Sequence, residues 1–394
     1  MSESGVNEII LDIKNRGDEA VLEYNLKFDK NPSKIFEVSK EQIRAAYAQV
    51  DAESIRALKF AAKNIRAFAS AQFSQIKNFE KKTSFGSIGQ KIIPLQKVGC
   101  YVPGGNYPLP SSALMSVIPA KVAGVNEIIV CSPKIAPITI VAADLAGANK
   151  IFNIGGAQAI AAMAIGTKQV PKVNKIVGPG NKYVAEAKQL VFGEVGIDFI
   201  AGPSEVLVLA DETGNPQLIA ADLLAQAEHD INSKATLITT SKALSKKVSA
   251  EIALQLLELS TRDTASKALK NGAIIVVKDM SGAIDAANAI APEHLEIQVK
   301  NPQKVVKLLK NYGSLFIGER SAEALGDYCL GPNHILPTNG AARYTGGLSV
   351  RDFVKIVTVQ RVVRIDRKLI RVAEKLAEIE GLDAHRKAAR MRGV

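Results

Sequence analysis

In the stretch "AADLLAQAEHDINS", residues 220–233, Gln226 and His229 offer chemistry that a plain helix does not need. The chain has 394 residues and only 4 histidines, so a histidine set between Glu228 and Asp230 needs an explanation. Pro216 suits the first turn of a helix, and Ile219, Leu223 and Ala227 form its buried stripe. Gln226 and His229, three apart, then share one face near the helix C-terminus and can converge on one ion. A histidine that caps the helix dipole beside acidic neighbours accounts for the same pattern without a ligand.

Three further clusters carry ionisable groups. In "APEHLEI", Pro292 stiffens the approach to Glu293 and His294. Adjacent residues diverge on either a helix or a strand, so these two are expected to act separately, as two acid–base groups on one substrate. "GDYCLGPNHILPT" offers Asp327, Cys329 and His334 around a turn, and "EIEGLDAHRKAA" offers Glu380 and His385. Three of the four histidines lie within two residues of a carboxylate. A mixed His/Asp/Gln set suits zinc or a similar divalent ion. The spacing matches neither HExxH nor paired CxxC, so on spacing alone the metal stays open.

The elements that must position these groups change character along the chain. Residues 1–70 read as helices, with apolar residues at three-four spacing. From about residue 92, short apolar runs alternate with Gly/Pro turns and alanine-rich helices, the pattern of a parallel sheet built from βαβ units. The strands "KVGCYVPGG", "EIIVCSP", "KIFNIGG" and "KIVGPG" form one series, and "EVLVLAD", "ATLITTS" and "AIIVVKD" another. The two series suggest duplicated halves. The tail from about 350 reads as one amphipathic helix, "RKLIRVAEKLAEIEGL", plus a short end, and is too short to fold alone.

The turns "VPGGNYPLPSS" and "VGPGNKY" join a strand to a helix and so place free N–H groups at a helix start, which suits phosphate. A simple tight turn explains each equally well, and no GxGxxG fingerprint appears. "IAGPSEVLVLAD" sets Ser204 before a strand without a GxSxG elbow, which favours a binding or capping hydroxyl over a nucleophile. Cys100 and Cys131 fall in apolar strands as buried small hydrophobes, and with Cys329 they make an odd, scattered set unsuited to a disulfide framework.

Composition bounds the rest. Apolar content of 47% with 23% charged is ordinary for a globular protein, and the length predicts two main domains plus appendages. No run approaches the length of a membrane span, and "MSESGVNEIILDIKNRGDEAV" lacks the basic-then-apolar order of a signal peptide, so a cytoplasmic protein without a membrane partner is expected. Net charge +11 raises nucleic acid as a partner. The charge is spread, is not interleaved with aromatics, and there is no tryptophan for stacking, so no nucleic-acid partner is expected. A generally basic surface suited to anionic cofactors is the simpler reading.

"VGCYVPGG", "PAKVAGVNEI", "GGAQAIAAMAIGT", "VGPGNKYVAEAK", "AGPSEVLVLAD", "ADLLAQAEHD", "APEHLEI", "GPNHILPT" and "GGLSVRDF" occur in one order. Together they resemble the histidinol dehydrogenase family over roughly residues 90 to 386. The resemblance implies oxidation of L-histidinol to L-histidine with two NAD+, through a bound aldehyde, with a zinc ion that does not change redox state. Carried over by motif, the zinc ligands are Gln226, His229, Asp327 and His385. Glu293 and His294 are the acid–base pair, Glu293 activating water and His294 acting near its ordinary pKa. NAD contacts fall on Tyr101, Gln158 and Asn181, and Ser204 and Glu380 help to hold the substrate alongside the zinc ligands and His294. His334 belongs to a shared block without an assigned role and reads as loop structure.

The same resemblance implies two incomplete, duplicated Rossmann-like α/β domains with N-terminal helices and a C-terminal helical tail. The expected division is 1–28 as an N-terminal helical segment, 29–98 plus 206–345 as one α/β domain, 99–205 as the NAD-side domain, and 346–394 as a tail swapped in a homodimer. Departures are small: "ARYTGGLSV" has tyrosine and glycine where phenylalanine and serine are common, and "LLAQAEHD" has alanine where serine is usual. The alternatives are a related zinc- and NAD-dependent dehydrogenase of another amino or sulfonated alcohol, and a non-catalytic binding protein. Retention of Glu380 and His385 argues against the first, and the intact Glu293–His294 pair against the second.

Overall fold

The run Glu205–Ala210 (EVLVLA) is apolar after its first residue and buried at all 6 positions, as befits a strand covered on both faces. It forms the centre of one of two five-stranded parallel sheets in the computed structural model, which describes residues 3–104 and 107–393. Gly105 and Asn106, part of the first glycine turn, lie outside the described residues.

Helices α1 (Glu3–Arg16), α2 (Asp18–Tyr24), α3 (Lys40–Gln49) and α4 (Ala52–Ser74) come first, followed by strands β1 (Phe79–Thr83) and β2 (Gly86–Pro94). The first parallel series runs β3 (Lys97–Tyr101), α5 (Pro110–Val122), β4 (Glu127–Cys131), α6 (Pro137–Ala146), β5 (Lys150–Phe152), α7 (Gly156–Ile165), β6 (Lys175–Val177), α8 (Lys182–Val191) and β7 (Gly196–Ile197). The second runs β8 (Glu205–Ala210), α9 (Pro216–Ala227), β9 (Lys234–Thr239), α10 (Lys242–Gln255), α11 (Arg262–Ala268), β10 (Ala273–Val276), α12 (Met280–Ile290), β11 (His294–Gln298), α13 (Pro302–Val306) and β12 (Ser314–Ile317). A short helical turn α14 (Glu323–Leu325), strand β13 (Val354–Val362) and helices α15 (Arg367–Ile379) and α16 (Asp383–Arg390) complete the order.

The first sheet has the order β5-β4-β3-β6-β7, so strand order reverses between β3 and β6. Such a reversal leaves a crevice at the carboxyl ends of the two strands. Tyr101 ends β3, and β6 leads into the turn Gly178–Pro179–Gly180. Gly178 has φ +114°, and a Cβ there would lie 2.1 Å from the Tyr101 carbonyl oxygen, so only glycine closes this turn against β3. Buried Lys188 of α8 donates to the Gly178 carbonyl at 3.0 Å and pairs with buried Asp198, which accepts from the Gly178 N–H at 2.8 Å.

The second sheet has the order β10-β9-β8-β11-β12. Val206, Val208 and Ala210 pack with Ile219 and Leu223 of α9 on one face, while Leu207, Leu209, Leu295 and Ile297 pack against α12 on the other. Each such valine, leucine or isoleucine side chain, fully buried, contributes roughly 1.5–3 kcal/mol. The register pairs His294 with Val206, Glu296 with Val208 and Gln298 with Ala210. Those three polar side chains of β11 therefore lie on the face covered by α9.

The chain divides into two compact units, Met1–Phe73 with Leu95–Phe353, and Ser74–Pro94 with Val354–Val394. Both five-stranded sheets thus belong to one unit. Glu37 forms an antiparallel bridge with Phe152, the Val38 N–H donates to the Ile151 carbonyl at 2.8 Å, and α3 packs on α6 of the first sheet. The reason is local: β5 is an edge strand with open hydrogen-bonding groups, and Phe36 brings an apolar side chain to the Phe152 core. Residues 1–28 also join this core, Val6, Ile9, Ile13 and Val21 packing with Ile160 and Val184.

The tail is more than one amphipathic helix. Strand β13 pairs antiparallel with β2, and β2 with β1, in a three-stranded sheet. The alternation in "VKIVTVQRV" is the period-two pattern of such a strand, which the helical reading of the tail passes over. Among the described residues no helix is long and apolar enough to cross a membrane.

Candidate active site

Strands β8 and β11 start side by side, and the main chain of Glu205 at the first position of β8 meets both ionisable residues of "APEHLEI". Its N–H donates to Glu293 Oε2 at 2.9 Å, and its carbonyl oxygen lies 3.3 Å from His294 Nδ1. A carbonyl only accepts, so Nδ1 carries the hydrogen, and Nε2 of the neutral ring presents its lone pair. Glu293 Oε2 stays 3.8 Å from His294 Nδ1, too far for a hydrogen bond, as expected for neighbours that diverge.

Two carboxylates approach the imidazole from the segment after β12. Glu323 and Asp327, four apart across α14 and the widened turn that follows it, share one face. Glu323 Oε1 lies 3.7 Å from His294 Nδ1, and Asp327 Oδ1 lies 3.4 Å from Nε2. One ligand atom from each of His294, Glu323 and Asp327 falls within 4.8 Å of the others. The following loop is fastened on several sides. Asn64 of α4 donates to the Cys329 carbonyl at 2.8 Å, and Asn333 donates to the Met115 carbonyl of α5 at 2.7 Å. His334 places Nδ1 2.9 Å from the Asp327 carbonyl and Nε2 3.5 Å from Ser112 Oγ, so it anchors the loop that carries Asp327.

Packing these groups together shifts their protonation. Burial pushes Glu293 up to about 7 against the opposing pull of His294, and lifts Glu323 to about 8. Burial would raise Asp327 too, but its contact with His294 and the charges of His294, His334 and His229 hold it below the usual carboxylate range. Burial alone would lower the His294 imidazole. Glu323 first, then Glu293 and Asp327, outweigh that and raise it well above its ordinary value. Among these carboxyls His294 holds its proton more tightly than the near-ordinary imidazole expected from the sequence.

Gln226 ends α9, buried at 1% exposure, and neither its Oε1 nor its Nε2 has a hydrogen-bond partner among the described residues. His229 does not share the helix with it. The helix stops at Ala227, and Asp230 accepts from the Asn232 N–H at 2.8 Å in a turn that leaves His229 exposed beyond the helix end. His229 still acts on Asp327 through its charge, and Asp222, one turn before Gln226, acts on Glu323. Gln226 lies between these two residues along the chain, on a helix that neighbours α14.

The other expected residues fall in three places. Ser204 directly precedes β8, with its carbonyl accepting from the Lys234 N–H at 3.0 Å. Tyr101, Gln158 and Asn181 gather at the carboxyl edge of the first sheet. The Tyr101 hydroxyl accepts from the Gly156 N–H at 3.0 Å, and buried Gln158 donates to Asp29 Oδ2 at 3.3 Å. Asn181 caps α8, its side-chain oxygen accepting from Tyr183 and Val184 N–H at 3.0 and 3.2 Å. Glu380 ends α15 and exposed His385 lies on α16, both in the unit built from the tail. Glu205 and Glu323 are the residues of this site that the sequence reading misses. The four-residue interval from Glu323 to Asp327 was the available sign.

A crevice at a strand-order reversal on one sheet and a buried imidazole among carboxyls on the other are features of an α/β enzyme with an acid–base site. The profile of the histidinol dehydrogenase family matches residues 1–393. Histidinol dehydrogenase from Clostridium acetobutylicum is 49% identical over 98% of this chain and 91% of its own, and that from Aquifex aeolicus 48% over 99% and 92%. The crystal structure of histidinol dehydrogenase from Elizabethkingia anophelis superposes with a TM-score of 0.94 at 39% identity, covering all 100% of this chain and 92% of that one. The chain belongs to the histidinol dehydrogenase family. It is an NAD-dependent oxidoreductase of histidine biosynthesis that oxidises L-histidinol to L-histidine, and the family uses a metal.

A buried amide with no partner costs about 1–3 kcal/mol. Gln226→Leu, of similar volume, is therefore expected to raise the unfolding free energy of the ion-free protein by about 1–2 kcal/mol in urea titrations. A fall of that size would mean that the amide has a partner in the ion-free protein.

Proposed function

We propose that the edge of β8 and β11 binds one zinc ion through Gln226, His229 and Asp327, with His385 supplied by the tail of a second copy in a homodimer. Gln226 carries this reading, a buried amide with both polar atoms unpartnered, on a helix that neighbours the α14 segment bearing Glu323. Buried polar atoms are rarely left in that state unless a ligand completes them. A second copy is supported by the tail helix α15, whose Val372, Leu376 and Ile379 leave 50%, 55% and 69% of their surfaces exposed. The expected compartment is the cytoplasm.

When bound, zinc would supply positive charge and open positions for the nitrogen donors of L-histidinol, and NAD+ would accept the hydride in each of two oxidations. Tyr101, Gln158 and Asn181 are the proposed NAD contacts, since they share the edge where helix starts offer N–H groups to phosphate. Ser204 and the partner copy's Glu380 and His385 are proposed to hold the substrate beside Gln226, His229, His294 and Asp327. His294 Nε2 takes the alcohol proton, its Nδ1 being committed to the Glu205 carbonyl. A dication held by Asp327 would oppose the push of the carboxyls and so favour the proton-accepting form of the ring. Glu293, raised by burial to about 7, takes a proton from the water that adds to the bound aldehyde.

A second reading puts the ion on His294, Glu323 and Asp327, because these three already converge within 4.8 Å. The two readings part at His294→Asn. Under the first, the variant keeps its zinc and loses about 100- to 10,000-fold in turnover; loss of zinc selects the second. Under the first reading, Glu293→Gln spares alcohol oxidation relative to aldehyde oxidation, and equal loss in both half-reactions would reject the division of labour.

The whole reading is tested by counting NADH per L-histidinol consumed, before and after chelation. Two per substrate, abolished by the chelator and restored by zinc, is expected, and turnover that survives removal of bound metal would overturn it. The shared site has its own test. Mixing His229→Ala with His385→Ala protomers is expected to restore part of the activity in mixed dimers, and no recovery would place the site within one chain.

A further inference from the structure

Helix α9 runs back along β11, and a row of polar side chains lies between them. At the start of the helix, the Asn215 N–H donates to Gln298 Oε1 at 3.1 Å. The Gln298 amide in turn donates from Nε2 to Glu296 Oε1 at 2.6 Å. The other oxygen of buried Glu296 has no hydrogen-bond partner among the described residues, and buried Asp222 of α9 acts on it. Burial first, then the Asp222 charge, push Glu296 up to about 9. The next position along the row is His294 on the strand and Gln226 on the helix, one turn beyond Asp222.

The apolar contacts of α9, Ile219 and Leu223 against Val206 and Val208, do not by themselves define how far the helix slides along the strand. Apolar attraction is non-directional, whereas hydrogen bonds specify distance and angle. A buried acid pair is also a poor device for stability alone, since apolar residues of similar volume often replace such groups without loss.

We propose that Asp222, Glu296 and Gln298 are positioning residues that fix the height of α9 along β11 and thereby hold the Gln226 amide within reach of the ion engaged by Asp327. The proposal rests on the metal reading above and deepens it. It places the precision of one ligand in a polar row that touches neither ion nor substrate.

The test measures zinc affinity by competition with a chromogenic chelator, alongside thermal melts of the ion-free chain. E296Q keeps an acceptor for Gln298 and a donor for Asp222, and is expected to bind zinc within about threefold of wild type. E296L is expected to melt within a few degrees of wild type yet bind zinc about tenfold or more weakly, the usual effect of losing the partners that orient a ligand. E296L binding zinc as tightly as wild type would overturn the proposal, as would E296Q weakened as far as E296L. Should E296L fail to fold, Q298M removes the bonds to Asn215 and Glu296 instead, with weaker zinc binding expected and unchanged binding overturning it. Wild-type protein that takes up no zinc in the same assay would sink the metal reading itself, and the role of the row with it.

Discussion

The parallel pairing of β8 with β11 is the constraint on which the site depends. Because the two strands begin together, one residue, Glu205, presents its N–H to Glu293 and its carbonyl to His294. That single main-chain clamp fixes a carboxylate, selects the tautomer of an imidazole and turns Nε2 toward Asp327. A slip in register would send His294 to the α12 face, into the core of Leu295 and Ile297. The chemistry is therefore bound to the same hydrophobic pattern that assembles the sheet.

That edge concentrates charge where a core would ordinarily exclude it. Glu205, Glu293, Glu296, Glu323 and His294 are all nearly buried, and Asp327 joins them partly buried. Burying so many ionisable groups is costly unless protons or a cation balance them. Burial raises Glu296 and Glu323 well above the usual carboxylate range and Glu293 to about 7, while Asp327 is held below that range beside His294. The cluster thus sets the low-lying carboxyl of Asp327 near carboxyls raised by burial, with the unpartnered amide of Gln226 on the helix that neighbours α14.

Much of this was legible in the sequence, for identifiable reasons. The run EVLVLA, the alanine-rich helices and the glycine turns set two parallel sheets through periodicity that tertiary packing did not overrule. Glu293 and His294 were visible as an adjacent acid and base, and their divergence on a strand held. His229 was harder, because the turn at Asp230 and Asn232 ends the helix two residues before a pure spacing rule would. Glu323 was hidden because its partner is spatial: no local pattern says that the segment after β12 folds back on β11. The antiparallel sheet of β1, β2 and β13 joins segments some 260 residues apart, beyond the reach of any local window.

The two sheets use opposite ends. In the first, the reversal between β3 and β6 opens the carboxyl edge, where Tyr101, Gln158 and Asn181 gather. In the second, the ionisable cluster sits at the amino edge, at the first residues of β8 and β11. An open α/β sheet offers its crevice at the carboxyl ends, so the second sheet departs from that habit. The loop carrying Asn333 and His334 supplies the reason. It ties the residues beside Asp327 to Met115 and Ser112 of α5, the helix that follows β3. Helix α5 starts at the carboxyl edge of the first sheet, so the loop brings the amino edge of the second sheet toward it. The proposed cofactor and substrate groups then require no strand to serve both. Each sheet keeps its own core, and the meeting of the two edges is left to a loop that three side chains, Asn64, Asn333 and His334, hold in place.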